Sequence, residues 1–208
     1  MANASSSSPL RSAYLVVYNA LSAAAWSIVL YKTALTWYTS GHQEVFFEVG
    51  EWTKWTQTAA ALEILHSLLG VVRSPVLTTV MQVSSRFLLV WGIVHPYPFV
   101  SAAPTYSSML IAWSVTEVIR YSFFATAILG MCPGVLLWLR YNTFFILYPV
   151  GIFSEVSLIW LTTKIGGLES MIRIALYAIL VIYVPGSYIL YTYMMKQRAR
   201  VIKAASGK

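Results

Sequence analysis

An all-α integral membrane bundle of six transmembrane helices is the fold class this sequence predicts, and three observations predict it. Of the 208 residues, 58% are hydrophobic and only 10% charged, where a soluble domain carries about 25% charged residues. The mean hydropathy is +0.68. Apolar runs long enough to cross a bilayer, roughly 20 residues each, recur along the whole chain.

The segment 1–12, MANASSSSPLRS, is Ser-rich and expected to be disordered. The apolar stretch after Arg11 is too long for a signal-peptide core and lacks a cleavage site, so it reads as a retained first span at about 13–32. Five more apolar segments follow at about 57–73, 76–95, 108–129, 141–162 and 172–195. The second and third are joined by Arg73-Ser74-Pro75, a hairpin too short to leave the membrane surface. A membrane domain over 13–195 and a basic tail over 196–208 result.

Charge orients the bundle. The net charge is +7, aspartate is absent, and five of the fourteen Lys and Arg lie in the last thirteen residues. A basic tail after an apolar segment reads as a cytosolic juxtamembrane segment near anionic lipid rather than as a nucleic-acid surface. With the N-terminus cytosolic, that side holds Arg11, Arg73, Arg140, Lys196, Arg198, Arg200, Lys203 and Lys208, against Lys32, Lys54, Lys164 and Arg173 opposite. The positive-inside rule therefore puts both termini in the cytosol. The sequon at Asn3 is then on the wrong side for glycosylation. Cys132 is the only cysteine, which excludes intrachain disulfides and a multi-cysteine metal site. Trp37, Trp52, Trp55, Trp91, Trp113, Trp138 and Trp160 fall near loop or span ends and read as interfacial anchors.

Polar residues inside the spans carry the functional information, because a charge in hydrocarbon costs about 2.5–3.5 kcal/mol on insertion scales. Glu63 and His66, then Glu117 and Arg120, are spaced to pair along one helix, and Arg86 can reach Glu63 or Glu117 from a neighbouring span. These groups read as a charge-neutralising polar interior. Glu155 differs, since no basic residue lies within one turn of it. A desolvated carboxylate without a local cation is equipped for acid–base work near neutrality. Tyr148 lies seven residues earlier, within roughly 20° of the same helical face and about 10.5 Å away along the axis. A small polar group fits between them. Pro149, beside the tyrosine, removes a backbone donor to Phe145 and invites a kink.

The run LRYNTFFILYPVGIFSE (139–155) resembles the signature of the 3-hydroxyacyl-CoA dehydratase family, also called protein-tyrosine-phosphatase-like. The blocks LEILHSLLGVVRSPVLTTVMQVSSR (62–86), WSVTEVIRYSFF (113–124) and YMMKQR (193–198) resemble the same family, with plant members the best likeness, over roughly residues 14–200. The resemblance implies a six-span endoplasmic-reticulum enzyme that removes water from a very-long-chain (3R)-3-hydroxyacyl-CoA to give the trans-2-enoyl-CoA, the third step of fatty-acid elongation. It also implies association with the condensing enzyme and the two reductases that act on 3-ketoacyl-CoA and enoyl-CoA. The family's catalytic Tyr and Glu fall on Tyr148 and Glu155. A phosphatase loop is excluded, because Cys-x5-Arg would need arginine where Trp138 stands, and Arg140 comes two residues too late.

Elimination needs a base for the C2 proton, an acid for the hydroxyl and donors for the thioester oxygen. Glu155 is the expected base and Tyr148 the expected acid; spacing alone allows the reverse. Arg86, Arg120 or the backbone near Pro149 could face the thioester oxygen, and Arg73, Arg140 and the tail could receive the CoA phosphates, although positive-inside topology explains the latter equally well. No metal and no redox cofactor is expected. Two other readings fit an intramembrane polar interior: a small-molecule transporter and a non-catalytic membrane scaffold.

Overall fold

The computed structural model describes residues 8–72, 74–131 and 133–206. Among the described residues the regular secondary structure is all helix, joined by short turns, with no strand. The helices are α1 (Pro9–Ser40), α2 (Val45–Ala59), α3 (Ala61–Leu68), α4 (Val76–Phe87), α5 (Pro104–Ile128), α6 (Gly134–Asn142), α7 (Phe144–Thr163) and α8 (Ser170–Ser206), with a π-helical continuation of α4 at Leu88–Val94 and short 3-10 turns at His42–Glu44 and Pro98–Ala102. Four stretches are long and apolar enough to cross a membrane: Pro9–Ser40, Val76–Val94, Phe144–Thr163 and Ser170–Lys203.

The second and fourth expected spans have a different character. The second falls across α2 and α3, which meet at Ala60, and the helical path starts already at Val45. The fourth falls on α5, whose 25 residues extend about 37 Å. Ser107, Ser114 and Glu117 dilute its hydropathy, and neighbouring helices bury all three. That fits its place at the centre of the bundle, packed on α1 and α7.

Helix ends follow local chemistry. Ser8 accepts a hydrogen bond from the Arg11 amide at 3.3 Å, and Pro9 starts α1; proline is suited to a first turn whose amides lack partners. Residues 9–12 are therefore helical, which corrects the expectation of disorder for that part of the N-terminal segment. Its remainder, residues 1–7 with the Asn3 sequon, lies outside the described residues, as do Arg73, Cys132 and Lys208. Gly130 closes α5 at φ +74, letting the Met131 amide return to the Thr126 carbonyl at 2.9 Å. Only glycine enters that left-handed region without cost. Arg11 from α1 caps the far end of α3, donating to the carbonyls of Gly70 and Val71.

α7 runs unbroken through Pro149. A separate helix break lies at Thr143, between α6 and α7. At the other end of the bundle Lys54 is buried, pairs with Glu51 at 2.5 Å and sits over the Trp91 and Trp55 rings. The hydrogen bond from Lys54 holds the exposed Glu51 carboxyl below the usual carboxylate range.

Candidate active site

Two polar clusters away from the Lys54–Glu51 pair differ in how their carboxylates are satisfied. In the first, Glu117 of α5 is held by two arginines: Arg86 of α4 bonds Oε1, and Arg120 of α5 bonds Oε2 at 2.7 Å through Nε. Arg120 also forks onto Glu63 of α3 with two hydrogen bonds of 2.7 Å each. Tyr121 donates a further bond to Glu63. Two cations and two anions thus neutralise one another across α3, α4 and α5. The expected partnership of Glu117 with Arg120 is present, and Arg86 takes Glu117.

His66 departs from expectation. It does not bond Glu63 on its own helix but meets the Tyr14 hydroxyl of α1 at 2.8 Å, with the Tyr18 ring edge-on at 5.0 Å. The reason is that the bidentate arginine fork outcompetes a single imidazole for the glutamate. Arg86 and Arg120, expected near a thioester, are bonded to these carboxylates, Arg86 to Glu117 and Arg120 to both Glu117 and Glu63.

The second cluster is built on α7 and contains Tyr148 and Glu155. Small residues make it possible: Gly151 and Ser154 of α7 face Ala112 and Ser108 of α5. Ser108 and Ser154 share a hydrogen bond of 2.8 Å. A Cβ placed on Gly151 would lie 4.0 Å from Ala112 Cβ and 4.0 Å from Glu155 Oε1. Small side chains let membrane helices approach closely, and the approach brings Trp113 of α5 onto Glu155. The indole donates to Oε1 at 2.9 Å. From the other flank, Tyr183 of α8 donates to Oε2 at 2.9 Å. Glu155 is buried, and no arginine or lysine forms an ion pair with it among the described residues. Arg86 is the cation within electrostatic reach.

Tyr148 points to the same neighbour. Its hydroxyl donates to the Ser187 carbonyl of α8 at 2.9 Å, and its ring lies 5.7 Å from that of Tyr191. Tyr183 and Ser187 are one turn apart on α8, so Glu155 and Tyr148 share the α7 face that meets it. The half-buried phenol and the buried carboxylate are not bonded to each other, and Gly151 lies about one turn from each along α7.

Arg140, at the Tyr148 end, stacks over Phe124 at 4.4 Å and Phe123 at 4.7 Å. Its buried Nε has no hydrogen-bond partner among the described residues, and it forms no ion pair there. Arg198 of α8 lies close by, bonding Asn142 Oδ1 at 3.1 Å. This end therefore brings together two arginines, Arg140 and Arg198.

Sequence reasoning missed Trp113 and Tyr183. Trp113 reads as an interfacial anchor, yet it is 3% exposed in the interior of α5. Its four-residue spacing from Glu117 was the available signal, since it places both on one face. Tyr183 stands in the apolar run ILVIYV with no comparable mark.

Comparison with known proteins bears on the chain as a whole. The family model described as protein tyrosine phosphatase-like protein, PTPLA, matches residues 57–204. A fission-yeast protein (Schizosaccharomyces pombe) named probable very-long-chain (3R)-3-hydroxyacyl-CoA dehydratase is 43% identical, over 96% of this chain and 97% of its own. The Arabidopsis thaliana dehydratase PASTICCINO 2 is 42% identical over 94% and 95%. Human very-long-chain (3R)-3-hydroxyacyl-CoA dehydratase 2 is 32% identical over 93% and 82%. No solved structure matches.

Proposed function

The chain belongs to the protein tyrosine phosphatase-like family, PTPLA, and on that premise we propose that it is a hydro-lyase converting very-long-chain (3R)-3-hydroxyacyl-CoA to trans-2-enoyl-CoA. Relatives at 32–43% identity over most of the chain carry that activity in their names. The observation that carries the reading in this molecule is a buried carboxylate held by neutral donors, with a phenol on the same helical face. Glu117, gripped by two arginines, has no such freedom to accept a proton.

Glu155 takes the C2 proton as the C2–H bond breaks, and that electron pair becomes the C2–C3 π bond. The C3–O bond breaks, and Tyr148 gives its proton to the departing oxygen, releasing water. The proton on Glu155 then returns to the phenolate to reset the pair. Leaving the Ser187 carbonyl frees the Tyr148 hydroxyl for this task. Arg140 and the basic rim receive the CoA phosphates, while Arg86 and Arg120 hold the bundle together rather than touching the thioester. The chemistry assigned to these residues requires neither a metal nor a redox cofactor.

Six spans with cytosolic termini put the Tyr148 end of α7 toward the cytosol, where CoA thioesters are, and the acyl chain toward the apolar interior. Residence in the endoplasmic reticulum membrane beside a condensing enzyme and two reductases completes the proposal, since the substrate must come from a 3-ketoacyl-CoA reduction and the product must be reduced in turn. Purified protein in detergent, given a very-long-chain 3-hydroxyacyl-CoA, should release the enoyl-CoA. Absence of product from folded protein, across acyl lengths, would contradict the reading.

A further inference from the structure

Trp113 and Tyr183 have no role in the chemistry described above, yet they make the two hydrogen bonds that Glu155 receives from other helices. Indole is a donor only, so the oxygen that Nε1 meets at 2.9 Å is an acceptor. The phenol of Tyr183 donates to the other oxygen at the same distance. The donors come from α5 and α8, the two helices that flank α7, so the carboxylate is held from both sides.

Both donors are neutral. An arginine would fix a carboxylate equally well but would oppose its protonation, as Arg86 and Arg120 do for Glu117. Neutral donors fix direction and leave the group able to take a proton. The Arg86 guanidinium also lies over the Trp113 ring, 5.1 Å from its centroid. A cation on an indole face draws on the π electrons and makes the ring N–H a stronger donor. The arginine thus touches the ring that holds Glu155 while forming no ion pair with Glu155 itself.

We propose that Trp113 and Tyr183 are positioning residues for the dehydration, clamping the two oxygens of Glu155 in one orientation on the α7 face that it shares with Gly151 and Tyr148. The proposal rests on the dehydratase reading. Misplacing a reacting group by about 1 Å costs on the order of 100-fold in rate, so losing one arm of the clamp should lower kcat by about 10- to 100-fold. KM should hold, because neither residue is assigned a contact with the substrate.

The test uses the full-length protein in detergent with Trp113→Phe, which keeps a ring for Arg86, and Tyr183→Phe, which keeps everything but the hydroxyl. Each is assayed for kcat and KM, for thermal unfolding, and for the infrared carboxylate band of Glu155 identified by difference against Glu155→Gln. Lower kcat at unchanged KM, with a shifted band and an unchanged unfolding midpoint, is the expected result. If Trp113→Phe fails to fold, Tyr183→Phe carries the test alone. Wild-type kcat in the folded variants, a rise in KM alone, or an unmoved band overturns the clamp. The dehydratase reading survives that outcome if Glu155→Gln is inactive, whereas turnover by Glu155→Gln removes the reading itself.

Discussion

Arg120 grips Glu63 through two parallel hydrogen bonds of 2.7 Å each, joining α5 to α3. The fork fixes the angle between guanidinium and carboxylate as well as their distance. Removing Glu63 leaves Arg120 and Arg86 to share the single carboxylate of Glu117 in a mostly buried place. Breaking such a pair costs about 3–5 kcal/mol, and the lower end applies because the Arg120 side chain is still 27% exposed. Glu63→Gln should therefore lower the thermal unfolding midpoint in detergent clearly, while the folded fraction still turns over substrate at low temperature. A variant as stable as wild type would contradict the role given to this pair.

Tyr148→Phe separates chemistry from structure. The hydrogen bond from its hydroxyl to the Ser187 carbonyl is worth about 0.5–1.5 kcal/mol, so the unfolding midpoint should move little. Loss of the acid should lower kcat by about 100- to 10,000-fold. Steady-state kinetics beside a melting curve checks both halves. A modest kcat loss tracking a large stability loss would make Tyr148 a packing residue.

Arg140 offers a test of where the CoA goes. It stacks on Phe123 and Phe124 and has no carboxylate partner among the described residues. A charge-assisted hydrogen bond to phosphate contributes about 1.5–3 kcal/mol, so Arg140→Gln should raise KM for the acyl-CoA by about 10- to 100-fold with kcat nearly unchanged. The matching acyl-pantetheine, which lacks the phosphates, should show no such change. Equal effects on both substrates would place the arginine's role elsewhere.

Orientation can be read chemically. In a Cys132→Ser background, an impermeant thiol reagent added to sealed endoplasmic-reticulum vesicles should label Met131→Cys directly. It should label Gly166→Cys, in the loop before α8, only after permeabilisation. Both positions are exposed on the protein surface, and Gly166 has open space around a new Cβ. The reverse pattern would contradict the proposed six-span orientation.

Parts of this arrangement were legible from residue order alone. Tyr148 and Glu155 stood out because a seven-residue spacing returns to one helical face and a carboxylate in hydrocarbon demands a reason. Glu117 and Arg120 were legible as a local pair for the same periodic reason. Trp113 was misread because aromatic residues near span ends usually mark the interface, whereas its burial depends on the close approach of α5 and α7 over Ser108, Ala112, Gly151 and Ser154. Such proximity is a property of two helices together. His66 was misassigned because spacing along one helix cannot foresee an arginine arriving from another. The N-terminal helix start was overlooked because a serine-rich composition hides the cap that Ser8 and Pro9 form.

The central claim is that Glu155 accepts the C2 proton, and one measurement addresses it most directly. Purified wild-type protein and Glu155→Gln, matched for thermal unfolding, are given the same very-long-chain 3-hydroxyacyl-CoA, and the enoyl-CoA formed is quantified over time. The glutamine keeps an oxygen for Trp113 but has no basic oxygen, so the variant should fold, bind acyl-CoA and release no enoyl-CoA. Turnover at the wild-type rate by the folded Glu155→Gln protein would contradict the account.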